Sequence, residues 1–238
     1  MILILRKWNV LLLSAIFFIS VYCAGLWIEN VFGYRQVTLP CYGKVIVLDA
    51  GHGEPDGGAV GTTGAKEQEL NLKIALLTQE FLEQSGMKVI MTRTDDEGIQ
   101  DSGKTVRQKK RSDMSNREKL MNQSDADLFV SVHMNKFTDP KYSGPQVFYS
   151  LNGEQSEKMA KLLQEELIRV LEPEMHREVK QATGDIYLLK KAKVPAVLVE
   201  CGFLSNREEE QKLLSEDYQK KTAWAIYASV VKYFAAQQ

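Results

Sequence analysis

Val45-Ile46-Val47-Leu48-Asp49-Ala50-Gly51-His52-Gly53 carries a buried strand straight into a reactive loop. Residues 45–48 are an unbroken apolar run rich in β-branched side chains, the composition of a strand covered on both faces. Asp49 ends the run, and the glycines at 51 and 53 let the backbone take a conformation closed to most residues. His52 is thereby set at the C-terminal edge of a strand, where open α/β sheets place their sites. A single histidine beside glycines is an ordinary loop residue more often than a ligand, so the reading depends on what else converges there.

The chain has 238 residues, 44% of them hydrophobic and 26% charged, enough for one α/β domain of about 190 residues plus an N-terminal appendage. Its net charge is −1, with acids and bases interleaved, which gives no electrostatic footprint for DNA or RNA and excludes nucleic acid as a partner. Three cysteines are too few for a disulfide framework, and Cys23 falls in an apolar run, leaving Cys41 and Cys201. There is no internal repeat and no low-complexity tract.

Arg6-Lys7 precede a charge-free run over residues 8–28, long enough to cross a bilayer at roughly 20 residues per span. Positive residues on its near side place the rest of the chain on the outer side of the membrane. A cleaved signal peptide meets the same length test, but Tyr22 and Cys23 crowd the small-residue positions near Ala24-Gly25, which favours an uncleaved anchor. Residues 1–29 are therefore read as an anchor or signal segment, 30–43 as a linker containing Pro40, and 44–238 as the folded domain.

After the first strand, residues 54–61 are too glycine-rich for regular structure and match neither a P-loop nor a dinucleotide fingerprint. Helical periodicity runs over 67–85 and a strand follows at 87–92, a βαβ unit that implies parallel neighbours. The polar, charged stretch 95–113 reads as a long surface loop and 115–123 as a short helix. Residues 128–133 form a second buried strand ending in a histidine. A short strand at 146–150, an amphipathic helix at 154–171, a connecting piece at 187–190, a central strand at 197–199 that delivers Glu200, and a helix at 222–234 complete the chain. The expected architecture is a single α/β domain whose mixed, mostly parallel central sheet is covered by helices on both faces.

The chain holds three histidines, and two of them, His52 and His133, stand at the ends of predicted central strands. Two imidazoles and one carboxylate with an open fourth position form the ligand set of a catalytic zinc, a group that activates water. A further carboxylate is needed to handle protons. Glu67, Glu69 and Glu200 are the candidates, and Glu200 is the most telling, because an acid on an apolar Val-Pro-Ala-Val-Leu-Val strand is costly to bury unless it is paired or coordinates something. His176, among Glu174, Arg177 and Glu178, reads as a solvated residue.

Leu48-Asp49-Ala50-Gly51-His52-Gly53, Lys66-Glu67-Gln68-Glu69-Leu70-Asn71-Leu72, Met91-Thr92-Arg93, Ser131-Val132-His133-Met134-Asn135 and Val199-Glu200-Cys201-Gly202-Phe203-Leu204-Ser205-Asn206 together resemble the zinc-dependent N-acetylmuramoyl-L-alanine amidases. The resemblance covers residues 44–234, with five short motifs in the right order. Through Tyr142-Ser143-Gly144-Pro145-Gln146-Val147-Phe148-Tyr149, and with no wall-binding repeat, the chain looks most like the membrane-associated, germination-specific amidases of endospore formers.

The resemblance implies one Zn2+ per chain held by His52, Glu67 and His133, with Glu200 as the catalytic carboxylate and Glu69 left aside. It makes Asp49 and Asn135 candidates for orienting the ligands. Cys201 departs from the small aliphatic residue expected there, and residues 95–113 are more charged than in many relatives. The implied activity is hydrolysis of the amide between the lactyl group of N-acetylmuramic acid and L-alanine in peptidoglycan, as a first step toward muramic lactam in spore cortex. The implied location is extracytoplasmic, in the forespore intermembrane space, with the membrane and an activating protein as partners. Two other readings use the same residues: a module of this fold that grips peptidoglycan without turnover, and a zinc hydrolase of another amide.

Overall fold

The computed structural model describes residues 2–31, 39–101, 103 and 105–237. Much of the expected linker at 30–43 lies outside them, as do positions 102 and 104 of the stretch 95–113. The chain divides into two units, Met1–Thr38 and Leu39–Gln238. In the first, helix α1 (Ile2–Val31) contains the segment Trp8–Trp27, long and apolar enough to cross a membrane. The side chains of that segment are exposed.

The second unit is built on a six-stranded sheet of order β2-β1-β3-β6-β4-β5. Its strands are β1 (Val45–Ala50), β2 (Lys88–Met91), β3 (Leu128–Asn135), β4 (Gln146–Tyr149), β5 (Lys180–Gln181) and β6 (Ala196–Phe203). The pairs β1–β2, β1–β3 and β3–β6 are parallel, whereas β4 runs antiparallel to β6. The sheet is thus mixed and mostly parallel, as the alternating apolar strands and helices imply.

Side-chain alternation along the strands divides the core in two. Ile46, Leu48, Ala50, Val130, Val132, Val197 and Val199 point to one face, where α2 (Glu67–Gln84), α4 (Glu154–Leu171), α6 (Arg207–Leu214) and α7 (Glu216–Ala235) bury Ile74, Leu163, Leu213 and Ile226 against them. Val47, Phe129 and Leu198 point the other way, toward Met121 of α3 (Val106–Gln123) and Leu188 of α5 (Tyr187–Lys191). By the same parity Asp49, Ser131, His133 and Glu200 all belong to the α3–α5 face, so the sheet presents its polar groups on one side.

Among the boundaries that differ from expectation, β3 runs past His133 to Asn135, and α7 starts at Glu216, ahead of residue 222. The second unit begins at Leu39, ahead of residue 44, because Cys41 is fully buried in the core. Asp49 does not end β1, which runs on to Ala50, since its carboxylate is satisfied inside the sheet. Glu200 lies within β6, and register-paired with His133, instead of following the strand. The stretch 95–113 is not all loop: α3 starts at Val106, nine residues before 115, because Thr105 and Gln108 form a reciprocal cap. Thr105 Oγ1 accepts from the Gln108 amide at 3.2 Å, and the Gln108 side chain accepts from the Thr105 amide at 3.2 Å.

That cap fixes the start of the wall facing the sheet's polar groups. Thr105→Ala should lower stability by about 1 kcal/mol and the melting midpoint by about 2–4 °C. Thermal unfolding followed by circular dichroism checks this, and an unchanged midpoint would mean the first turn of α3 contributes nothing to folding.

Candidate metal centre

His52 occupies the left-handed region, with φ +62°, a conformation that costs a non-glycine residue of order 1–3 kcal/mol and persists only when its surroundings impose it. Two buried arginines do so. Arg117 donates to Ala50 O at 2.9 Å and to His52 O at 2.6 Å, and Arg93 donates to Ala50 O and Gly51 O, both at 2.9 Å, and to Gln68 O at 2.7 Å. Asp49 closes the network, accepting from Arg117 at 2.5 Å, Thr92 Oγ1 at 2.8 Å and Ser131 Oγ at 2.5 Å. Burial disfavours the Asp49 charge, yet the Arg117 guanidinium and the two hydroxyls hold its carboxyl below the usual range.

The strand–turn–helix path then brings Glu67, first residue of α2, between the two histidines. Glu67 Oε1 stands 3.2 Å from His52 Nε2 and 3.0 Å from His133 Nδ1, with the imidazole rings edge to face at 4.9 Å. The Met134 amide donates to the same oxygen at 3.1 Å, and the Ala59 amide donates to Oε2 at 2.7 Å. Burial alone would raise the Glu67 pKa, but hydrogen bonds from His133 and His52 and their positive charge hold it well below the carboxylate range. The same contact raises the His133 pKa against the opposing effect of burial.

The donor atoms of His52, Glu67 and His133 all lie within 4.8 Å of one another, the spacing of a set able to hold a metal ion. Two glycines leave room for them. A Cβ on Gly51 would stand 2.3 Å from His133 Nε2 and Cε1, and one on Gly58 would stand 2.5 Å from Glu67 Oε2 and 2.8 Å from the His52 ring. Glu200 lines the same cavity as His52 and His133, and its buried Oε2 has no hydrogen-bond partner among the described residues. Desolvation pushes its pKa up to about 7, with His133 pulling the other way. The nature of the donors, the cradle around them and an orphaned carboxylate oxygen beside them all fit a bound divalent cation.

The remaining sequence-predicted residues separate cleanly. Glu69 is turned away and pairs with Lys66 at 3.3 Å, while His176 is exposed. Asp49 touches neither histidine and acts on His52 through Arg117. Asn135 offers its carbonyl to the Leu204 amide at 2.8 Å, and its side chain forms no hydrogen bond among the described residues. Cys41 and Cys201 are buried free thiols in the core packed under α2, α4, α6 and α7. Arg117 and Asp56 escape the sequence reading. A buried Asp49 demanded a cation, which was the available signal for Arg117.

An α/β sheet that gathers a His-Glu-His cluster and a second acid at one edge offers the parts of a metal-assisted hydrolase. Residues 46–232 match the family model described as N-acetylmuramoyl-L-alanine amidase. The germination-specific N-acetylmuramoyl-L-alanine amidase of Bacillus subtilis is 39% identical over 229 residues, spanning 96% of this chain and 94% of that protein. The CwlD amidase of Clostridioides difficile, solved in complex with the GerS lipoprotein, is similar with a TM-score of 0.78 and 45% identity, over 81% of this chain and 99% of that one. The catalytic domain of CwlV from Bacillus (Paenibacillus) polymyxa gives a TM-score of 0.70 and 29% identity, over 81% and 98%. The chain belongs to the N-acetylmuramoyl-L-alanine amidase family, and its activity is hydrolysis of a peptidoglycan amide bond. Its substrate lies in the wall, so the catalytic unit works outside the cytoplasm.

Because a methyl group at position 51 would overlap the His133 ring, Gly51→Ala should lose tightly bound divalent cation and turnover together. Metal analysis after dialysis, paired with an activity assay, checks it. Full metal content with normal turnover would mean that the ring has room to move aside.

Proposed function

We propose that the chain cleaves the bond between the lactyl carbonyl of N-acetylmuramic acid and the L-alanine nitrogen with one zinc ion held by His52, Glu67 and His133, and with Glu200 moving the proton. The observation that carries this reading is Glu67 Oε1, contacted by one nitrogen from each histidine while an unpartnered Glu200 oxygen lines the same cavity. When bound, zinc supplies Lewis-acid polarisation and makes water acidic enough to react near neutral pH. His52, Glu67 and His133 would hold it, the two-imidazole, one-carboxylate donor set of hydrolytic zinc sites.

Glu200 accepts a proton from the attacking water and passes it to the departing alanine nitrogen. Its carboxylate suits both halves of that task, since burial sets its pKa at about 7 and gives it both protonation states near neutrality. Glu67 does not compete for this role, because His133 and His52 keep it ionised. Arg117 and Arg93 keep the His52 turn fixed, so the ligand is in place before substrate arrives. An intact set of these four residues argues against a silent binding module.

The setting we propose is spore cortex, where removal of the stem peptide precedes muramic lactam formation. Support comes from the Bacillus subtilis relative, a germination-specific amidase. The Clostridioides difficile relative was solved with a lipoprotein bound, which supports a protein partner here as well. The segment Trp8–Trp27 would hold the enzyme on the outer face of the membrane.

Product analysis on purified wall fragments tests the reaction: new L-alanine amino termini are expected, and bound but uncut glycan would leave only a binding module. His52→Ala and His133→Ala should lose zinc and activity, because two remaining ligands hold the ion poorly. Glu200→Gln should keep about one zinc per chain while turnover falls by a factor on the order of 10² to 10⁴. Loss of zinc in Glu200→Gln with retention in Glu67→Gln would exchange the two roles.

The N-terminal reading predicts a full-length, membrane-bound protein in cells. Mass spectrometry that finds a mature chain starting near Gly25 or Leu26 would replace the anchor with a cleaved signal.

A further inference from the structure

The loop after His52 folds straight back beneath it. Gly53 N donates to Asp56 O at 3.0 Å and Asp56 N donates to Gly53 O at 2.9 Å, so the backbone closes a tight turn with the Asp56 side chain beside the His52 ring. Asp56 Oδ2 stands 3.2 Å from His52 Nδ1, on the side of the ring opposite Nε2, which is 3.2 Å from Glu67. The same carboxylate oxygen is 2.7 Å from Lys110 Nζ, which projects from α3 across the groove. Both neighbours are carboxylates that can only accept, one at each ring nitrogen, so when a metal takes Nε2 the remaining proton sits on Nδ1, where Asp56 accepts it.

We propose that Asp56 is the positioning residue of the metal centre: it fixes the tautomer and ring orientation of His52, and Lys110 holds Asp56 in place from the opposite wall. The inference rests on the zinc reading above. The two histidines are then oriented by different means. His133 presents Nδ1 to Glu67 with its ring packed over Gly51, a steric constraint, whereas His52 is held by a hydrogen bond to a charged partner. Lys110 completes the arrangement, because without a cation the Asp56 side chain would be free to turn toward water. Carboxylate partners of ligating histidines contribute about 10- to 100-fold to metal affinity.

Full-length protein labelled with 15N-histidine and titrated with zinc against a competing chelator tests the proposal. Asp56→Ala should weaken zinc binding by roughly 10- to 100-fold. Asp56→Asn, whose amide oxygen still accepts from Nδ1, should keep most of the affinity, and Lys110→Ala should fall between the two. Only three histidines are present, so the imidazole nitrogens resolve readily, and in the zinc-loaded wild type His52 is expected to be protonated on Nδ1. Protonation on Nε2 overturns the proposal even if Asp56→Ala fails to fold. Wild-type protein that binds no zinc overturns the ligand reading itself, whereas wild type that binds zinc and Asp56→Ala that binds it equally well overturn only the role of Asp56.

Discussion

The Asp49–Arg117 pair is the interaction on which the site depends. Both side chains are almost wholly buried, and a charge removed from water without a partner costs several kcal/mol. As a contribution to stability such a pair is close to neutral, because desolvation consumes most of the Coulombic gain. Its yield is geometric. The planar fork of Arg117 leaves donors for Ala50 O and His52 O, and Arg93 covers the Gly51 carbonyl between them. Three successive carbonyls are thus met by two guanidinium groups, and Asn71 Nδ2 also donates to Gly51 O at 3.0 Å. The positive φ of His52 goes with that constraint.

From there the arrangement propagates through elements of fixed period. The two-residue repeat of β3 and β6 places Ser131, His133, Leu198 and Glu200 on one face, and parallel pairing puts His133 opposite Glu200. The first turn of α2 supplies Glu67, whose second oxygen is fixed by the Ala59 amide. That amide is itself held in place by a buried acid from α6: Glu210 accepts from the Thr63 amide at 2.9 Å and the Thr63 hydroxyl at 2.8 Å, and so clamps the glycine-rich loop.

The sequence made the framework legible where the signal was local. The apolar strands, the βαβ unit and the amphipathic helix at 154–171 needed only periodicity, and the two strand-borne histidines stood out in a chain with three. The choice of Glu67 over Glu69 was not available from periodicity, since both lie in the first turn of α2. Tertiary contacts separate them, one reaching the histidines and the other Lys66. The start of α3 could have been read from Thr105 and Gln108, a capping signature hidden inside a charged, glycine-containing stretch. Arg117 gave no periodic signal on a polar helix, because its partner lies 68 residues away. The need for such a partner was visible all the same: Asp49 sits on the same kind of buried strand that made Glu200 conspicuous.

Charge pairing explains why three of the carboxylates along the groove offer a metal less than the histidine cluster does. Asp49 and Asp113 share Arg117, and Asp56 has Lys110. Each of these carboxylates already has its own cation and offers little to a metal. Among the described residues, neither Glu67 nor Glu200 pairs with a lysine or arginine, although Glu67 and one oxygen of Glu200 are withdrawn from water. The two acids are nevertheless pushed in opposite directions. Glu67, between two imidazoles and two backbone amides, is kept charged, while Glu200, with one oxygen lacking any partner, is kept close to the point of taking up a proton. Identical side chains become a ligand and a proton carrier because of what each one touches, so placing a paired acid where Glu200 stands would remove the second role even with every metal ligand intact.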